Sequence, residues 1–120
     1  MMKLGMMLLF VSDLEESKRF YCDILGFRLE AEAENRLEFK HPGCRFVAFK
    51  CERKAEVENY SQVPRSVFAF EVASVDQSFN DLRSRGISFL HSEPAENAFC
   101  RYAAFRDPSG NVHEIYEPKI

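Results

Sequence analysis

Glu114 is one carboxylate in this sequence that could do chemistry. It lies seven positions beyond Asp107, after the run Asp107-Pro108-Ser109-Gly110-Asn111. A carboxylate on a strand that leaves a tight turn can serve as a lone general acid or base, or it can pair with a cationic group of a ligand. The plainer alternative is a polar residue held by a neighbouring hydrogen bond. Tyr116 is two residues on and so shares the strand face of Glu114. Tyr102, on the preceding strand, is expected on the same side. An aromatic wall beside a carboxylate suits a planar or cationic ligand, although for each tyrosine alone ordinary packing is the plainer reading.

The other candidates offer less. His41 falls in a turn, His91 at a strand end before Ser92-Glu93-Pro94, and His113 next to Glu114, where it must point to the opposite face. These three are not expected to gather round a metal. Cys22, Cys44, Cys51 and Cys100 form no C-x-x-C pair, and no motif marks one as a nucleophile. With no secretion signal in view they read as free thiols of a reducing compartment, and the expected location is cytoplasmic.

The elements that position Glu114 are legible from periodicity. Met6 to Val11 is an apolar run, too short to span a bilayer, and reads as a buried strand. Leu14, Tyr21, Ile24 and Leu25 recur at helical spacing. Asp13 with Glu16, or Ser12 with Glu15, can cap that helix, and Gly26 can end it. Short alternating strands follow at Phe27 to Ala33, Asn35 to Lys40 and Cys44 to Cys51, with His41-Pro42-Gly43 as a turn. Lys54 to Pro64 is polar and reads as a linker.

The same order then recurs. Ser66 to Val72 is a strand, Ser74 with Gln77 a cap, Val75, Phe79 and Leu82 a helical stripe, and Gly86 a stop. Val11 and Val72, Leu14 and Val75, and Gly26 and Gly86 all repeat at an offset of about 60 residues, which points to duplication. Ile87 to Leu90, Cys100 to Phe105 and Val112 to Tyr116 supply the second set of strands, the last two joined by the Asp107–Asn111 turn. Alternation puts Met6, Leu8 and Phe10 on one face of their strand, Ala48 and Lys50 on one face of theirs, and Val67, Ala69 and Glu71 on one face of theirs. Lys50 and Glu71 read as solvated edge positions. The fold class is α+β, with two βαβββ modules at about 1–57 and 66–120 in a single domain.

Composition excludes several classes. A chain of 120 residues suits one domain. A net charge of −3 with scattered basic residues gives no electrostatic footprint for nucleic acid or an anionic membrane. Twelve Phe and four Tyr without a Trp predict a core packed with rings, some of which line a pocket.

Three segments together resemble a known family. Val11-Ser12-Asp13-Leu14-Glu15-Glu16-Ser17 with Phe20-Tyr21 and Leu25-Gly26-Phe27 looks like the first-module signature of the vicinal oxygen chelate superfamily, which includes glyoxalase I, bleomycin-resistance proteins and extradiol dioxygenases. Phe70-Glu71-Val72 through Leu82 to Gly86 resembles the second-module signature, and Phe105 to Asn111 followed by Glu114 the closing motif. The resemblance implies a curled mixed sheet enclosing a U-shaped cleft. It also implies four metal-ligand positions, two per module, at which a divalent cation acts as a Lewis acid. These positions fall at Met6, at or near Ala48, at Val67 and at Glu114. Valine and alanine carry no donor, and a thioether is a soft ligand unsuited to the family's hard cations. The expectation is therefore a cleft without the usual metal, lined by Met6, Leu8, Ala48, Val67, Ala69, Tyr102, Glu114 and Tyr116. The function implied is binding of a small molecule without turnover, as in the bleomycin-resistance branch. The alternatives are a lyase, isomerase or dioxygenase that uses a rebuilt metal site or Glu114 as general base, and a degenerate fold used for protein interaction. By resemblance, and because a curled sheet leaves edges and an apolar face uncovered, the chain is expected to form a homodimer, with or without exchange of modules.

Overall fold

In the computed structural model the described residues are 1–52, 60 and 66–119. The chain divides into two compact units, Met1–Ala55 and Glu56–Ile120. Each contains one four-stranded mixed sheet, which with the few helices makes an α+β fold.

In the first unit, β1 (Met6–Val11) leads into α1 (Leu14–Lys18), followed by a π-helical stretch, Arg19–Ile24, and then β2 (Leu29–Ala33), β3 (Arg36–Phe39) and β4 (Arg45–Lys50). Of the two expected caps, Asp13 is the one used: its Oδ1 accepts from Glu16 N at 3.0 Å. The expected helix does not stay α-helical to its end. Leu25 N donates to Phe20 O at 3.0 Å, an i→i−5 bond. The widened turn buries both Phe20 and Tyr21. Gly26 then takes φ 87°, the left-handed conformation expected at the stop. The sheet order is β1-β4-β3-β2, with β1 and β4 parallel. Its helix-side face carries a cluster of rings: Tyr21 meets Phe39 and Phe46 at centroid distances of 5.3 and 5.9 Å, and Phe27 meets Phe46 at 5.2 Å. Burying such a ring stabilises the fold by roughly 2–3 kcal/mol.

The second unit repeats the plan. It contains β5 (Phe68–Glu71), α2 (Val75–Ser84), β6 (Ala95–Glu96), β7 (Cys100–Arg106) and β8 (Val112–Pro118), in the sheet order β5-β8-β7-β6 with β5 and β8 parallel. Ser74 caps α2 by accepting from Gln77 N at 3.2 Å, the counterpart of Asp13 in the first unit. Val75, Phe79 and Leu82 are the buried stripe of that helix.

The expected strand Ile87 to Leu90 does not form. Only Phe89 bridges to Phe105, and the strand that pairs with β7 is the short Ala95–Glu96. The chain touches β7 at Leu90, whose N donates to Ala104 O, and then leaves through His91-Ser92-Glu93-Pro94. Pro94 has no N–H to continue a ladder. The closing turn forms around Asp107, whose Oδ1 accepts from Ser109 N and Asn111 N at 2.9 and 2.8 Å, while Oδ2 accepts from Asn111 Nδ2 at 2.9 Å. Among the described residues no helix is long and apolar enough to cross a membrane.

A candidate ligand site on the second sheet

Strand register decides which residues share a face. In the second unit Ala69 pairs with Glu114 and Glu71 with Tyr116, while Ala104 pairs with Glu114 and Tyr102 with Tyr116. Paired residues point the same way, so Ala69, Glu71, Tyr102, Glu114 and Tyr116 lie on one face. The opposite face carries Phe68, Phe70, Phe105, His113 and Ile115 and forms the core. Val67 sits one residue before β5 and is half-buried.

Glu114 is half-buried and has a partner the sequence did not reveal. The Tyr60 hydroxyl donates to Glu114 Oε2. Burial pushes the Tyr60 hydroxyl above the ordinary tyrosine range, and the bond to Glu114 adds to this because both favour the neutral phenol. Tyr60 in turn meets His91 edge-on, with centroids 6.2 Å apart at 80°, and His91 meets Tyr102 in the same way at 6.0 Å and 84°. One position along, the Tyr116 hydroxyl donates to Glu71 Oε1 at 3.1 Å, and this bond holds its proton above the ordinary tyrosine range. The result is two carboxylates, each met by a phenol, beside a row of rings. Such a surface favours flat ligands and offers a cation a charged partner.

Two of these residues lay outside the sequence reading. Tyr60 belongs to a charged, aperiodic segment read as a linker, and His91 was set aside as a strand-end residue.

The first unit requires a correction. Met6, Leu8 and Phe10 share a face and are 38, 42 and 55 % exposed. Ala48 does not share it. The register pairs Leu8 with Val47 and Leu9 with Ala48, so Ala48 lies with Leu9 and Leu37 on the helix side, fully buried. The residues of β4 on the Met6 side are Arg45, Val47 and Phe49. A strand's side chains alternate, so an offset of one position moves a residue to the other face. A cavity of about 330 Å³ in this unit is lined by Lys3, Glu30, Glu38, His41, Cys44 and Arg45 among others, and none of the expected ligand-binding residues borders it.

The four positions at which the resemblance places metal ligands hold Met6, Val47 or Ala48, Val67 and Glu114, with one hard donor among them. Glu114 already accepts the Tyr60 hydroxyl. Among the described residues no three of His, Cys, Asp and Glu come together as a metal would require. This donor set does not fit a divalent cation.

Comparison with known proteins settles the kinship. Residues 3–115 match the sequence profile of the Glyoxalase/Bleomycin resistance protein/Dioxygenase superfamily. The chain belongs to that superfamily. Within it, the chain is 32 % identical to the uncharacterized protein YraH of Bacillus subtilis (strain 168), over 97 % of this chain and 98 % of that one. Its fold is similar to that of a glyoxalase/bleomycin resistance protein/dioxygenase from Nocardioides, with a TM-score of 0.76 and 27 % identity over 98 % of this chain and 84 % of that one. It is also similar to TnmS3, an antibiotic-binding protein from Streptomyces sp. CB03234, with a TM-score of 0.72 and 24 % identity over 99 % of this chain and 98 % of that one. The superfamily's α+β architecture of two mixed sheets is therefore this chain's own.

Proposed function

We propose that this superfamily member binds a flat, cationic small molecule on the Glu114 face of its second sheet, and that it does so without a metal and without turnover. The observation that carries this reading is the half-buried Glu114 carboxylate flanked by Tyr60 and, in the same row, His91 and Tyr102. A carboxylate beside aromatic faces gives a cation both a charge partner and a π surface. The missing hard donors at Met6 and Val67 argue against Lewis-acid chemistry here, and the likeness in fold to an antibiotic-binding protein supports a reading of ligand capture.

A homodimer belongs to the same reading. The exposed apolar side of β1, formed by Met6, Leu8 and Phe10, is the kind of surface that a second copy covers. The four cysteines are free thiols, which suits a cytoplasmic protein.

The test is a thermal-shift screen with aromatic amines and their neutral isosteres. Amines should raise the melting temperature, isosteres should not, and Glu114→Gln should abolish the difference. Equal shifts from amines and isosteres would remove the basis for a cation site.

A further inference from the structure

His91 borders the Glu114 face, and the proposed function uses its ring but gives its nitrogens no task. The backbone fixes its place: Leu90 N donates to Ala104 O at 2.8 Å and Phe89 bridges to Phe105, so the next residue is held alongside β7. Its ring stands edge-on to both Tyr60 and Tyr102. Its Nε2 is buried, and among the described residues it has no hydrogen-bond partner. A buried imidazole nitrogen is rarely left in that state, because removing it from water without a replacement bond is unfavourable. The aromatic neighbours pack against the ring and leave this nitrogen unanswered.

We infer that His91 is the second polar anchor of the site, and that the ligand is a flat amine carrying a hydroxyl at the end away from its nitrogen. The ammonium group meets Glu114 and the hydroxyl meets His91 Nε2. A hydroxyl both donates and accepts, so it satisfies either imidazole tautomer. Tyr60 touches both anchors, its hydroxyl reaching Glu114 and its ring standing edge-on to His91, and a ligand with one aromatic ring between its two polar ends is the simplest match. The inference rests on the reading of Glu114 as the partner of a cation.

Tyramine and phenethylamine differ only in such a hydroxyl and are the probes. Titrated calorimetrically into the wild-type protein, tyramine should bind roughly tenfold tighter than phenethylamine, the effect of one good hydrogen bond. His91→Phe keeps a ring between the tyrosines and should bring the two affinities together. His91→Gln, which keeps a donor and an acceptor, should restore part of the difference. A second readout needs no variant: the nitrogen-15 resonance of His91 Nε2 should move on adding tyramine and stay in place with phenethylamine. Equal affinities, or an Nε2 resonance unmoved by tyramine, overturn the inference while leaving the Glu114 reading in place. If phenethylamine itself fails to bind, the Glu114 reading fails and this inference falls with it.

Discussion

Tyr60 donates its hydroxyl to Glu114 across 54 residues of sequence, joining a residue outside the regular elements to the third residue of β8. This bond occupies the carboxylate that a cationic ligand would use. In the proposed function an ammonium group competes with this phenol for the carboxylate.

The first prediction follows from that competition. Tyr60→Phe removes the competitor and keeps the ring, so aromatic amines should bind it several-fold more tightly than wild type. Glu114→Gln should weaken them by tenfold or more, the effect of losing a charge-assisted bond. Calorimetric titration of both variants with phenethylamine checks the opposite signs.

A second prediction concerns ionisation. Tyr60 and Tyr116 both hold their protons above the ordinary tyrosine range. Ultraviolet titration should show tyrosines ionising late. Tyr60→Phe should remove a late component, and Tyr116→Phe should remove a smaller delay.

The third prediction concerns acid stability. His113 is buried beside Phe68, Phe70 and Phe105, and burial pushes its imidazole down to about 4, with Asp107 opposing weakly. The sign follows from linkage. Below the ordinary histidine value the unfolded chain takes up a proton that the folded chain refuses, so stability is full above about 6.5 and falls as the pH drops toward 4. Between pH 7 and pH 5 the loss attributable to this group is about 2 kcal/mol. Urea unfolding at the two pH values should show the loss in wild type, and His113→Phe should be flatter by that amount.

A fourth prediction checks the face assignment in the first unit. Ala48 is fully buried beside Leu9 and Leu37, so Ala48→Glu places an unpaired charge in the core and should cost several kcal/mol or prevent folding. Leu8→Glu, on the exposed face, should change the stability of the isolated chain by less than about 1 kcal/mol. Denaturant unfolding of the two variants distinguishes the faces directly.

Much of the architecture could be read from local chemistry. The caps at Asp13 and Ser74, the glycines at Gly26 and Gly86, and the Asp107 turn are dictated by short-range hydrogen bonding and backbone freedom, and each forms as expected. The shared face of Glu114 and Tyr116 followed from alternation along one strand, Ala69 from alternation with Val67, and Tyr102 from its place on the adjacent strand. Ala48 failed for the same reason the others succeeded: its position was fixed only to within one residue, and in a strand one residue is a change of face. Tyr60 and His91 could not be found this way. Both reach the site through long-range packing, and neither belongs to a periodic element.

The central claim is that Glu114 holds a cationic ligand without a metal, and calorimetry on protein stripped of metal with chelator tests it most directly. Phenethylamine titrated into that protein should bind at one site per chain, and binding should be lost in Glu114→Gln. Binding that appears only after a divalent metal is restored, or that survives Glu114→Gln unchanged, would contradict it.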